Sequence, residues 1–575
     1  MIAAVPFIRK YFAVLAVVCF YVWSAVTIVT TRVEERSGAE ILLRIGHWQL
    51  EASVRDALNQ MVSDYSAERV ARGLPPVKIV QDAIPESVYA QWLTTQLMGG
   101  TAPDLIEVGL GSMPYHLWVQ YYNRYFIPLT PMVSRPNPYN EGTTLEGVPL
   151  RATFKDAMRG TYVEEMQEYM SMPLSQFGVR IFYNRDLLRE LTGLETPPMD
   201  YRAFLDVCKT IGEQTGERGQ PYIAIAGSRY HIGMWEGPMF DPLTYPVKFV
   251  ADFNRDGFVD NAEQFVAFKT GRLSFDHPAI AGRFQMFREI TDHFQTGYTG
   301  LSRDEAVFLF AQQRAVFMTT GTWDARSLLE QAEGTFEVGV MDYPMPTQDD
   351  PVYGDVLYGS NYERILGGFP FAVTRTSKHP DVAKDFLLFM AAQKKNEELN
   401  EIIGWIPSVR DAAIPSFLKG FEPHLTGVYG CFNPTSLGGE TWLKWTQKFA
   451  EFQVRDIDYE ELQNEFEPFY KERGLADFLE QQNDWQRAMH KTEQFLTGIR
   501  AAALTADGDD AASQWIRYRT LTTDRQLTPE IHHLRQLKYA TGELELPPVD
   551  PYAYSDKVLA KVKARLRKEA SADVR

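Results

Sequence analysis

The residues whose spacing points most directly to chemistry are Asp252, Asn254 and Asp256 at alternate positions, Gly257 next, and Glu263 closing a twelve-residue frame. Together they fill the D-x-[DN]-x-[DN]-G-x5-E pattern of a calcium-chelating loop. Side-chain oxygens of Asp252, Asn254 and Asp256, the Phe258 carbonyl, a water-bridged Asp260 and both oxygens of Glu263 form the expected ligand set, and Gly257 permits the sharp turn. Four carboxylates within twelve residues repel one another without a cation; a solvated acidic turn without metal is the alternative. The preceding TYPVKFVA carries Pro246 and alternating bulk, so it reads as strand or extended chain. No second loop of this kind occurs. A lone, strand-entered loop outside the cell is expected to hold calcium as a structural staple of an insertion, not as a switch.

What must position such a loop is a long, acidic, well-packed chain. Its 575 residues exceed one ordinary core, and 45% hydrophobic against 23% charged residues leaves enough apolar surface to fold. The net charge of −17 repels polyanions and argues against nucleic acid as a partner. Cys19, Cys208 and Cys431 allow one disulfide and no framework. C-x-x-C, H-E-x-x-H, P-loop and G-x-S-x-G patterns are absent, and of ten histidines only His532 and His533 adjoin, so neither a catalytic nor a histidine metal cluster is expected.

Between Lys10 and Arg32 runs YFAVLAVVCFYVWSAVTIVTT, uncharged and, as a helix, about 31 Å long, enough for one bilayer core. Arg9 and Lys10 precede it and an acidic flank follows, which places the amino terminus inside and the body outside. Residues 1–40 therefore read as a membrane anchor and linker, or a cleaved signal around Val22-Trp23-Ser24. Further on, ILLRIGHWQL, PPVKIVQDAI and APDLIEVGLG read as strands separated by helices. VRIFYNRDLL, PYIAIAG and RAVFMTTGTWDARSLLEQA continue the alternation, which predicts mostly parallel sheets covered on both faces. YSDKVLAKVKARLRKEA, from Ser555, is a basic amphipathic helix expected to pack on its own protein.

RIFYNRDLLRELTGLETPPMDYRAFLDVCKTI, AVFMTTGTWDARSLLE with FEVGVMDYPMP, and GGFPFAVTRTSKHPDVAKDFLLFMAAQ with IIGWIPSVRDA follow one another in the order of the extracellular solute-binding proteins of carbohydrate ABC importers, the maltose-binding-protein type, family 1. The chain resembles that family over roughly residues 42–450, with the EF-hand-like calcium loop and a tail beyond about residue 500 as departures. The resemblance implies an α/β, two-lobed type II binding-protein fold in which ligand is held between lobes. Lobe 1 would be 42–150 and 356–400, lobe 2 would be 151–350 and 401–500, and 501–575 a C-terminal helical extension. It also implies a periplasmic or otherwise extracytoplasmic protein that is not an enzyme. Such a protein delivers a sugar or oligosaccharide to ABC permease subunits; a sensor for a membrane receptor and a calcium-dependent polysaccharide-degrading enzyme are the alternatives.

A sugar site needs aromatic platforms and planar polar side chains. Trp48 follows the first strand, at the carboxyl end where open α/β sheets face their ligands. Trp323 in TTGTWDA resembles the family's NGxW stretch, which implies a stacking tryptophan. Asp324 beside it would accept sugar hydroxyls or cap a helix. Trp235 in HIGMWEGPMF and Trp442 in GGETWLKW are further candidates against a core alternative, and Glu107 is expected to point from its strand end toward ligand. Tyr183 is expected to pack, and Asp104 to anchor a turn.

Overall fold

The computed structural model describes residues 40–549, apart from 112, 114, 217–218, 358, 364–366 and 429–436. The N-terminal apolar segment, Cys431 and the basic stretch from Ser555 lie outside the described residues. Among the described residues no helix is long and apolar enough to cross a membrane.

The described strands are, in chain order, β1 (Ile41–His47), β2 (Val77–Ala83), β3 (Leu105–Glu107), β4 (Phe126–Ile127), β5 (Tyr162–Val163), β6 (Glu168–Tyr169), β7 (Met172–Gln176), β8 (Val179–Asn184), β9 (Ile223–Ala226), β10 (Ala315–Gly321), β11 (Val338–Met341), β12 (Gly367–Thr374) and β13 (Ile406–Pro407). The chain divides into two compact units. Unit 1 holds the described residues up to Glu164 with Glu168–Gln176 and Leu366–Pro415; unit 2 holds Glu165–Gln167, Phe177–Ile365 and everything described from Ser416 onward. The first crossing thus falls later than residue 150, and the helical tail belongs with unit 2.

Unit 1 is built on the sheet β13-β7-β12-β3-β1-β2, with β4 on β12. β1 runs parallel to β2, from Ile41 opposite Val77 to His47 opposite Ala83, and parallel to β3. β12 is antiparallel to β3, β4 and β7, and β13 to β7. Unit 2 carries the sheet β11-β8-β10-β9, in which only β10 and β9 are parallel. Both sheets are therefore mixed rather than mostly parallel. A strand that re-enters its sheet from a distant segment, as β12 does, escapes the right-handed crossover that keeps consecutive βαβ strands parallel.

Local chemistry sets the helices that flank these sheets. Asn184 caps Arg185–Thr192 by accepting from the Leu187 N–H, and Gly193 ends that helix at φ +77°. Asp200 caps Tyr201–Gly212 in the same way. Reciprocal capping boxes start Asn261–Lys269 (Asp260 with Glu263) and Arg303–Ala311 (Ser302 with Glu305). TYPVKFVA is not extended: Asp241–Thr244, Tyr245–Val247 and Lys248–Ala251 form successive helical turns. Pro246 sits at the start of a turn, where its missing N–H costs nothing. Lys248 lies 3.9 Å from the Tyr245 ring, while Val247 and Ala251 are buried. The acidic loop is thus entered from a helix and left by a helix.

The helix Tyr459–Thr505, 47 residues and so about 70 Å long, runs through the residue-500 boundary expected for the extension. Its Leu462, Phe466, Tyr470 and Phe478 enter the core of unit 2. Phe265, from the helix leaving the acidic loop, meets Tyr470 at 5.6 Å and Phe478 at 6.1 Å between ring centroids. Gly474 is required for this approach, since a Cβ there would come within 2.4 Å of the Phe265 ring.

A buried cation on an interior strand ties distant segments of unit 2 together. Arg180 on β8 is 1% exposed, and its guanidinium meets Asp342 at 2.6 Å, Glu363 at 2.7 and 3.2 Å, and the carbonyls of Val179, Gly420 and Glu422. These bonds satisfy its donors and offset the desolvation of a buried charge.

Candidate functional site

In unit 1 the carboxyl ends of β1 and β3 bring Trp48 and Glu107 together. Glu107 is fully buried. One of its oxygens accepts the Trp48 N–H at 3.1 Å and the other the Gln49 side-chain amide at 2.7 Å. Burial pushes its carboxyl up to about 8, against the pull of those two donors. Glu107 therefore does not point out toward ligand as expected: a strand end covered by the next turn puts it beneath Trp48, as a support. Trp48 is half-buried, edge-on to Tyr89 at 5.1 Å, and the Tyr89 hydroxyl donates to the Glu107 carbonyl at 2.7 Å. Neighbouring His47 is buried, pairs through Nε2 with Gln81 at 3.1 Å, and is held below the ordinary imidazole range by burial. Asp104 does anchor a turn, accepting the Arg44 N–H and the Ser377 hydroxyl.

In unit 2 the carboxyl ends of β9 and β10 carry a second set. Trp323 lies in the first turn of the helix Thr322–Ala332, half-buried, with its ring folded over Gly321, where a Cβ would come within 2.3 Å of it. That glycine is what seats the ring. Phe177 stands edge-on to Trp323 at 5.7 Å. Asp324 is buried and does not cap the helix, whose N-cap is Gly321. It accepts the Thr320 hydroxyl at 2.5 Å and pairs with Arg303, so it is an anchor for that guanidinium rather than a free acceptor. Arg303 also lies 5.8 Å from the Tyr230 ring centroid. His231 accepts or donates at Nδ1 with the Ser228 hydroxyl at 2.8 Å and is lowered to about 4 by burial and by Arg303, so it is neutral at physiological pH. Four buried polar atoms here, His231 Nε2, Arg303 Nε, Thr322 Oγ1 and Trp323 Nε1, have no hydrogen-bond partner among the described residues. Buried polar atoms are rarely left so.

Trp235 is a correction. It ends the helix Arg229–Trp235 at 0% exposure, packed on Tyr343 at 5.3 Å and Phe204 at 6.3 Å, because the inward stripe of that helix, with Ile232, carries it into the core. Trp442 stands 48% exposed on the first turn of Gly439–Val454, while Trp445 three residues on fills the core and stacks on Phe449. Tyr183 packs, as expected, at 3% exposure. Arg303 and His231 had no signal in the sequence beyond their types; what reveals them is the convergence of three helix starts, from Arg229, Arg303 and Thr322, beside two strand ends.

The acidic loop is a third assembly, in unit 2. Gly257 takes φ +92° and Arg255 φ +62°, the left-handed positions of a tight loop. Asp252 accepts the Gly257 N–H at 2.9 Å through Oδ2, while its buried Oδ1 has no partner among the described residues. Asn254 Oδ1 accepts from Asp256 N–H, and Asp256 Oδ1 from Phe258 N–H, each at 2.9 Å. The Phe258 side chain is exposed. Glu263, 1% exposed, turns back into the loop and accepts the N–H groups of Phe253, Asn254 and Asp260 at 2.9, 3.0 and 3.3 Å. Burial and the neighbouring Asp260 carboxylate push it up to about 8. Burial also raises the Asp260 carboxyl, but His532 and the Glu263 N–H outweigh it and hold that group below its usual range. Three backbone donors converge on the Glu263 carboxylate and partly oppose its rise.

A family model described as bacterial extracellular solute-binding protein matches residues 52–397, more than half of the chain, and the chain belongs to that family. The multiple sugar-binding protein of Streptococcus mutans is 18% identical over 353 residues, 60% of this chain and 70% of that protein. Among solved structures, the GacH receptor of Streptomyces glaucescens is similar at a TM-score of 0.49 and 14% identity, covering 76% of this chain and 98% of that one. RafE from Streptococcus pneumoniae is similar at a TM-score of 0.48 and 15% identity, with the same coverage.

Proposed function

We propose that this chain captures a sugar or oligosaccharide outside the cytoplasmic membrane and delivers it to the permease subunits of an ABC importer, itself catalysing no reaction. The observation that carries the reading is the family match across residues 52–397. The two strand-end sets are compatible with it. Trp323 and Trp48 offer half-buried aromatic faces for sugar rings. Arg303, held in place by Asp324 and still partly exposed, offers N–H donors for hydroxyls. Arg303 is neutralised by Asp324 and His231 is uncharged, which favours a neutral glycan over an acidic one. The segment 11–31 would serve as anchor or signal.

Calcium belongs to the same reading, as a structural ion. Asp252, Asn254, Asp256, the Phe258 carbonyl, Asp260 and Glu263 would hold it. The fit rests on the unpartnered Asp252 Oδ1, the left-handed Gly257 and the buried Glu263. When bound, the ion would neutralise mutual repulsion among the four carboxylates. The chain's own residues supply the scaffold: the Asp260–Glu263 capping box and Phe265 fix the loop to the core.

A thermal-shift screen of the purified chain against neutral oligosaccharides and oligouronates, with and without EDTA, tests both parts. A glycan-specific rise in melting temperature supports the sugar reading, and a fall on chelation supports the metal. Product formed from any glycan would sink the non-enzymatic assignment.

A further inference from the structure

The acidic loop and the helix Thr528–Thr541, distant in sequence, are joined by side chains. His532 Nε2 lies 3.0 Å from Asp260 Oδ2. Asp260, Glu263 and His532 each present a ligand atom, and these atoms lie within 4.8 Å of one another. The same helix grips the loop a second time. Tyr539 packs on Phe253, the second loop residue, at 5.9 Å, and Arg272 sits 5.5 Å from the Phe253 ring while donating to the Pro547 carbonyl. Inside the loop, Asp252 Oδ1 is buried without a partner and the Glu263 carboxylate is sealed at 1% exposure. The tail therefore delivers an imidazole nitrogen to the ninth loop position, which in this loop pattern commonly reaches its ion through water.

Resting on the reading of the loop as a cation site, we propose that His532 is a ligand of that site, so that a bound divalent ion latches the C-terminal extension onto the loop. An imidazole added to an oxygen set widens the ions the site accepts: calcium favours oxygens alone, whereas Mn2+ and Zn2+ take oxygen and imidazole together. Because the docked tail supplies one ligand, ion affinity and tail docking reinforce each other by the same factor. This gives the residues after 505 a role that a bare loop would not require.

Mn2+ is the probe, added to the full-length chain and followed by electron paramagnetic resonance. The expected result is one bound ion whose spin-echo modulation carries the signature of a histidine nitrogen. In His532→Gln that signature is lost, the Mn2+ affinity falls about tenfold, and tryptic cleavage beyond the Gly508–Thr522 helix no longer slows when the ion is added. Mn2+ bound without nitrogen modulation, and equally well by His532→Gln, would overturn the latch while leaving the loop a cation site. Binding of neither Mn2+ nor Ca2+ by the native chain would remove the loop reading and the latch with it. The native chain alone decides the nitrogen question, so the result does not depend on how well the variant folds.

Discussion

Glu107 and Glu263 are two buried glutamates pushed up to the same value, about 8, by different surroundings. Burial leads in both. Glu107 then meets side-chain and backbone donors from Gln49 and Trp48 and sees other carboxylates, Glu51 and Glu86, only as lesser influences. Glu263 meets Asp260 directly and sits in a loop with two more aspartates. The first carboxyl is a strut whose proton is part of the fold. The second is held in a ring of like charge that a cation would reverse, turning the raised acid into an ionised ligand. An identical shift is therefore no guide to role until the neighbours are named.

The two glutamates should differ most in their response to a cation. Calcium at a hundred times its dissociation constant should stabilise the native chain by about 2.7 kcal/mol, read as a rise in melting temperature. Glu263→Gln should abolish that rise, and Glu107→Gln should leave it intact. Equal loss in both variants would show that the two sites are not separate.

A second test uses pH. Glu107 in the folded chain titrates near 8, above the ordinary 4.5, so between those values the folded chain keeps a proton that the unfolded chain has lost. The stability tied to that proton is whole below about 4.5 and disappears as pH rises through about 8, with a slope of up to about 1.4 kcal/mol per pH unit. Glu107→Gln should flatten this fall in denaturant titrations at pH 5, 6.5 and 8. With saturating calcium, Glu263 should add nothing to the slope and Glu107 its full share. The smallest effect is expected at Trp442, exposed on its helix: Trp442→Ala should change stability by no more than about 0.5 kcal/mol.

Much of this was legible in advance. The strand–helix alternation located β1, β2, β3, β9 and β10, and the glycine turn before Trp323 marked the tryptophan that the structure seats over Gly321. Trp48 and Glu107 each stand at a strand end in the sequence pattern, and the structure joins them by a hydrogen bond. The failures have a common physical cause. Period and composition do not fix which face of a short helix turns inward, so Trp235 went into the core and TYPVKFVA became helical turns. Nor do they report contacts between distant segments, so Arg303 beside Asp324 and His532 beside Asp260 were invisible, as was the antiparallel return of β12.

Sugar capture is decided by calorimetric titration of the native chain and Trp323→Ala with the glycan that gives the largest thermal shift. The native chain should bind one neutral oligosaccharide saturably, and the variant about tenfold or more weaker, from the loss of an aromatic stacking face. Undiminished affinity in a folded Trp323→Ala would contradict the site, and heat from no glycan at all would contradict the function.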